Sequence, residues 1–201
     1  MKDINNYYNN IDLIKRKKFV TLVDWPNKKR QLEEFRMLTS IIEKNQIYTL
    51  TDYGCGTGDI IKFLKKKPNK YYGYDINKEF ISICKKRFKN KNYFFFQSDK
   101  IKYNADYTIA SGAFSIKGKI NNKLYYKKML NVINNILNYT NKKIAVNFHW
   151  DVCPPHKRRS HIYYTNIKLL KNFLKKKHIT DFKIKTKKKK YVFYLFVNLK
   201  K

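Results

Sequence analysis

Leu32, Phe35, Leu38, Ile41 and Ile42 recur at three- and four-residue spacing, which predicts a helix beginning near Pro26 with one apolar face. Beyond it the period switches back and forth. Short β-type runs over 48–53, 70–74, 93–97, 107–111 and 144–148 alternate with helical patterns over 59–66, 78–88, about 124–137 and 165–176. Strands that alternate with helices imply a parallel sheet with helices on both faces. The ending breaks the rule. The β-runs 181–185 and 191–199 are separated only by residues 186–190, too few for a helical crossover, so they must pair antiparallel. The expected fold class is therefore α/β: a doubly wound, mostly parallel seven-stranded sheet with an antiparallel C-terminal β-hairpin and helices on both faces.

Residues 1–24 lack this periodicity and read as a basic N-terminal arm, leaving 25–201 as one domain. A chain of 201 residues, 43% hydrophobic, can bury one full core but not comfortably two. No apolar run approaches the length of a membrane span, and the first residues are too polar for a secretory signal. Three cysteines, Cys55, Cys84 and Cys153, are too few and too irregular for a disulfide framework. The expectation is a protein of a reducing, intracellular compartment.

The charge changes the picture most. A formal +32 calls for a polyanionic partner, and RNA is the expected one. AT-rich codon usage would also enrich Lys, Asn, Ile, Tyr and Phe. It does not account for the shortage of acids, because glutamate has an equally AT-rich codon and Asp plus Glu number only 14.

The stretch "DYGCGTGD", residues 52–59, joins the first strand of the alternating region to a helix. Glycines at 54, 56 and 58 let the backbone turn tightly and approach a ligand without a Cβ. In doubly wound sheets ligands bind outside the carboxyl ends of the strands, where this turn lies. Asp75 in "YYGYDI", seventeen residues after Gly58, can accept from both hydroxyls of a ribose. Asp99 in "FFFQSDK" follows the next strand, where a nucleoside lying across the strand ends would present its adenine amino group. No Gly-Lys-Ser/Thr is present, which excludes a P-loop. Asp52 before the glycines suits a ligand with an ammonium group better than one with a pyrophosphate. That chemistry points to S-adenosylmethionine (SAM).

"DYGCGTGD", "YYGYDI", "FQSD" and "ADYTIASGAFS" together resemble the successive motifs of class I SAM-dependent methyltransferases, from about Trp25 to the end of the chain. The "IASGAFS" segment is similar to bacterial-type members with an Ala-Ser-Gly sequence after the fourth strand, which also carry a tryptophan and a Gln-containing helix, as Trp25 and Gln31 do here. Ser115 stands where that subgroup often has Asn, and Glu34 where it often has Arg. The resemblance implies that Gly54, Cys55, Gly56 and Gly58 shape the methionine side of the pocket, Asp52 lies near the amino group, Asp75 and Ile76 border the ribose, Asp99 the adenine, and Ala110 and Ser111 the methyl donor.

The acceptor is less defined. No Asn/Asp-Pro-Pro-aromatic tetrapeptide follows the fourth strand, which disfavours methylation of an exocyclic base amine. The segment "NFHWDVCPPHKRRSHIYY", residues 147–164, should overhang the donor site. His149 in it is the candidate general base for an oxygen nucleophile. His149, Cys153, His156 and His161 could also be read as zinc ligands, but Pro154-Pro155 and the lack of a Cys-x-x-Cys pair argue for a substrate loop and no metal. Three functional readings follow: methyl transfer to an anionic or nucleic-acid-associated acceptor, with RNA first; the same chemistry on a small molecule or saccharide; and a non-catalytic RNA-binding protein that keeps the fold.

Overall fold

A computed structural model describes residues 25–44 and 46–199; the expected basic arm lies outside them. Helix α1 (Lys28–Leu38) runs into a 3-10 turn (Thr39–Ile41) and is followed by β1 (Thr49–Tyr53), α2 (Asp59–Phe63), β2 (Lys70–Asp75), α3 (Lys78–Arg87), β3 (Tyr93–Gln97) and β4 (Ala105–Ala110). After these come α4 (Asn122–Tyr139), β5 (Thr140–Trp150), β6 (Tyr164–Thr165), α5 (Ile167–Lys176), β7 (Phe182–Lys187), a 3-10 turn (Lys188–Lys190) and β8 (Val192–Asn198). Asparagine starts four of the five helices among the described residues. The side chains of Asn27, Asn77, Asn121 and Asn166 each accept an otherwise orphaned first-turn amide.

The sheet order is β3-β2-β1-β4-β5-β8-β7. Strands β1 to β5 are parallel, and β8 runs antiparallel to both β5 and β7. The chain order reverses between β1 and β4, so the glycine loop after β1 lies at the topological switch point. The seven expected strands all form. An eighth, the two-residue β6, pairs parallel to the end of β5 through His149 and Tyr164; two residues are too few to show a period.

Boundaries move where pairing overrides local pattern. Thr186 and Lys187, expected as turn, continue β7 because their backbone pairs with Phe193 and Val192 of β8. Strand β5 starts at Thr140, earlier than its apolar run, with the Thr140 and Thr108 hydroxyls 2.6 Å apart.

Each sheet face has its own core. Ile133, Ile136 and Leu137 of α4 and Leu170 and Leu174 of α5 pack with Phe148, Phe193 and Leu195. Phe35 and Leu38 of α1, Ile60 and Ile61 of α2, and Ile81 and Cys84 of α3 cover Leu50, Tyr71, Tyr107 and Ile109 on the other. Both faces of the central strands are thus closed, and a ligand can enter only at a strand end. No described helix is long and apolar enough to cross a membrane.

Candidate active site

The loop between β1 and α2 is held by β2. The amides of Gly54 and Cys55 both donate to the Tyr74 carbonyl, at 2.7 and 3.0 Å, and the Gly58 amide closes the turn on the Cys55 carbonyl at 2.9 Å. Gly54, Gly56 and Gly58 have φ of 71°, 52° and 75°, the left-handed region that side chains disfavour. At Gly54 a Cβ would also lie 2.6 Å from the Cβ of Ala113, so that position is closed to any other residue by sterics as well as by φ.

Beside this loop a cavity of about 460 Å³ opens at the carboxyl ends of β1, β2, β4 and β5, within the size range of small-ligand sites. Asp52, Gly54, Cys55, Gly56, Asp75, Ile76, Ser111 and His149 line it. Three of the sequence-predicted residues stand outside the lining. Gly58 caps α2 and packs under Phe88 and Cys84. Ala110 is fully buried in β4. Asp99 yields its place to Ser98: the turn is closed by the Ser98 hydroxyl, which donates to the Lys100 carbonyl and accepts from the Lys100 amide, and Ser98 reaches the cavity. The Asp99 carbonyl accepts from the Tyr53 hydroxyl instead.

Two carboxyls dominate the electrostatics. Asp75 accepts from the Gly56 amide at 2.9 Å and the Asn77 amide at 2.8 Å. Burial still pushes its pKa up to about 6 against those bonds. Asp52 is buried, accepts from the Tyr71 hydroxyl at 2.6 Å and is pushed up by burial to about 7. Two buried carboxyls with raised pKa values are suited to a ligand that brings a cation and hydroxyl donors, both of which favour the ionised forms. The buried Ser111 hydroxyl in the cavity wall has no hydrogen-bond partner among the described residues, a further polar atom open to a ligand. A glycine cradle, two acids and a free hydroxyl fit the ammonium and ribose of SAM.

The wall opposite the glycine loop comes from α1 and was not legible in the sequence. Buried Glu34 accepts from the Asn147 amide nitrogen at 3.0 Å and the Tyr194 hydroxyl at 2.9 Å, and Asn147 in turn accepts from the Gly112 amide at 2.7 Å. One side chain thereby ties α1 to β5, β8 and the loop after β4. This accounts for an acid at position 34. Glu34→Ala strands two buried donors and should cost roughly 2 to 4 kcal/mol of folding free energy, measured by urea unfolding; Glu34→Gln, which keeps an acceptor, should cost clearly less. Gln31 reaches from the same helix to Asp59 at 3.4 Å, and Asp59 pairs with Arg87 at 2.7 Å.

His149 lines the cavity with its ring 5.7 Å from that of Tyr164. Burial, helped by Arg30 and Arg159, lowers its pKa to about 4, so it is neutral near pH 7 with a lone pair available. Cys153 is buried in the same wall, whereas His156 is exposed. Among the described residues no group of three or more His, Cys, Asp or Glu is arranged to hold a metal ion. Tyr163 is buried against Tyr125, 4.8 Å between rings, so it serves the core. Arg158 lies over Tyr164, 5.3 Å from its ring.

Known proteins agree with this geometry. Residues 51–137 match the family described as "Methyltransferase domain". A curated Mycobacterium tuberculosis protein named as a methyltransferase is 30% identical over 82 residues, which cover 39% of this chain and 49% of that one, so the match spans about half of that relative's length. Magnesium protoporphyrin IX methyltransferase from Synechocystis PCC 6803, crystallised with S-adenosylhomocysteine (SAH), superposes with a TM-score of 0.70 at 11% identity over 97% of both chains. N-methyltransferase NodS from Bradyrhizobium japonicum WM9, also with SAH, gives 0.63 at 11% identity over 98% of this chain and 96% of that one. This strand order and this glycine loop give the chain the fold of class I SAM-dependent methyltransferases, and residues 51–137 are similar to the methyltransferase domain.

Proposed function

We propose that the protein transfers the methyl group of SAM to an anionic acceptor, RNA being the polyanion its charge favours. The observation that carries the acceptor class is a pair of arginines. Arg30 from α1 and Arg159 from the loop before β6 open onto the same cavity as His149, and neither makes an ion pair among the described residues. Each lies close enough to depress the imidazole pKa. Two of the wall's four acids are engaged by other residues: Glu34 by Asn147 and Tyr194, Asp59 by Arg87. An acceptor that brings a phosphate or carboxylate satisfies both guanidiniums in a site sheltered from water, where the attraction is strong.

Bound SAM supplies an electrophilic methyl on a cationic sulfur. The chain's residues then have three tasks. Asp75 and Asp52 orient the donor, the arginines orient the acceptor, and His149 takes the proton that an oxygen nucleophile must lose as it attacks. A bound anion between Arg30 and Arg159 offsets their charge and raises the basicity of His149 only when acceptor is present. Charge at the cavity rim thereby couples binding to proton transfer.

The test uses protein freed of copurified nucleic acid, calorimetric titration with SAM and SAH, and methyl-tritiated SAM with deproteinised total RNA. Binding of both ligands with label entering RNA is the expected result; folded protein that binds neither overturns the reading. His149→Asn should lower label transfer at least 100-fold, the lower end of general-base effects, and leave SAM affinity within threefold. Unchanged transfer removes His149 from the chemistry.

A further inference from the structure

The outer edge of the sheet carries a feature that methyl transfer alone does not use. Along β7, Phe182 and Ile184 pack onto the core shared with α4 and α5. The alternate residues Lys183, Lys185 and Lys187 point to the opposite face, over β8. Lys185 lies 5.5 Å from the ring centre of Phe196, and Lys187 lies 5.3 Å from that of Tyr194. Their stems cover aromatic surface while the ammonium groups stay exposed to an anion. Among the described residues none of the three pairs with a carboxylate.

Alternate residues on a strand repeat at about 6.8 Å, so these charges form a row. The row leads to the cavity. From Lys187 the chain turns through Lys188–Lys190 to Tyr191, whose φ of 49° aims the backbone back into β8. Lys190 sits on Glu33 at 2.6 Å, and Lys187 and Lys29 also act on that carboxylate, which places α1 beside the turn. Tyr191 holds Lys157 over its ring at 5.8 Å, and Lys157, Lys190, Tyr191 and Arg159 all line the cavity.

We propose that this β7 face is the track for the phosphodiester backbone of a single-stranded nucleic acid, with one nucleotide turned into the cavity between Arg30 and Arg159. It rests on the anionic-acceptor reading above and names the substrate class. A row of cations with half-buried aromatics at Tyr191 and Tyr164 matches the way single strands are held, by backbone charge and base stacking. A duplex fits poorly, because a cavity of about 460 Å³ at strand ends takes single groups rather than stacked pairs. A run of Asp and Glu would satisfy the lysines but offers no aromatic ring to stack on the two tyrosines.

Fluorescence anisotropy of the full chain with labelled twelve-nucleotide oligouridylate and oligothymidylate, over a series of potassium chloride concentrations, tests the track. The triple variant Lys183→Ser/Lys185→Ser/Lys187→Ser is compared with Lys85→Ser/Lys86→Ser/Lys89→Ser, which removes equal charge at the opposite sheet edge. The β7 variant should lose at least tenfold in affinity, and its log-log salt slope should fall by about 2, from three contacts at about 0.7 each. The opposite-edge variant should change less than threefold. Both should keep SAM affinity by calorimetry, which separates loss of the track from loss of fold. Equal losses in the two variants, or equal competition by polyglutamate, would overturn the track; RNA and DNA binding alike would leave it in place and move the choice between them to the cavity. If native protein fails to bind SAM, the donor reading falls, while the contrast between the two variants still decides the track.

Discussion

Asp75→Asn should weaken SAM binding about 100-fold and leave a cooperatively folding protein. Its two carboxylate oxygens already take the Gly56 and Asn77 amides, so each has one lone-pair direction left for a ligand hydroxyl. Hydrogen bonds to a charged acceptor contribute about 1.5 to 3 kcal/mol each, and losing the charge under two of them gives roughly 3 kcal/mol, or two orders of magnitude. The amide keeps one acceptor for the loop and turns a donor toward the second backbone N–H, which misaligns Gly56. That cost is offset in the ligand-free state, because a carboxyl held near pKa 6 by burial is itself a strained occupant. Calorimetry beside thermal unfolding separates the two effects. Affinity within threefold of native would remove Asp75 from the donor site, whatever happens to stability.

What could be read from the sequence divides along a physical line. The glycine loop, Asp52 and Asp75 were legible because each is fixed by a local pattern: a positive-φ turn after a strand, and an acid at the next strand's end. The element order was legible for the same reason, since both periods are local. The role of Glu34 was not, because its partners come from distant strands; Asn147 lies 113 residues from it and Tyr194 160. A helix that reads as one apolar stripe also carries a buried acid on its edge, and only the packing of α1 over β5 and β8 shows it. Asp99 illustrates a finer limit. The pattern locates the end of β3, but the Ser98 turn decides which residue faces the cavity. The hairpin turn shows the same limit: residues 186–190 read as turn, yet Thr186 and Lys187 belong to β7 through a register that only β8 supplies.

On the proposed reading, the same carboxyls should make donor binding a sensor of pH. Both have pKa values raised from 3.8, Asp52 to about 7 and Asp75 to about 6. In ligand-free protein the folded state therefore holds protons that the unfolded chain has released. Stability from these groups is present below about pH 4 and is lost as pH rises through 6 and 7. Ligand binding runs the other way, because an ammonium and two hydroxyls need both carboxylates ionised. From pH 5.5 to pH 7.5 the ionised fraction rises roughly 25-fold for a pKa of 7 and fourfold for a pKa of 6, so SAM affinity should tighten roughly 100-fold. The range stops at 7.5 because the ligand's own amino group begins to titrate near 8. Asp52→Asn should remove the larger part of the dependence and Asp75→Asn the smaller. Calorimetry in buffers of different ionisation enthalpy should also show proton release on binding at pH 6.5. An affinity flat across this range would mean that neither carboxyl changes ionisation when the donor binds, and the ammonium would have to be held by backbone carbonyls of the glycine loop alone.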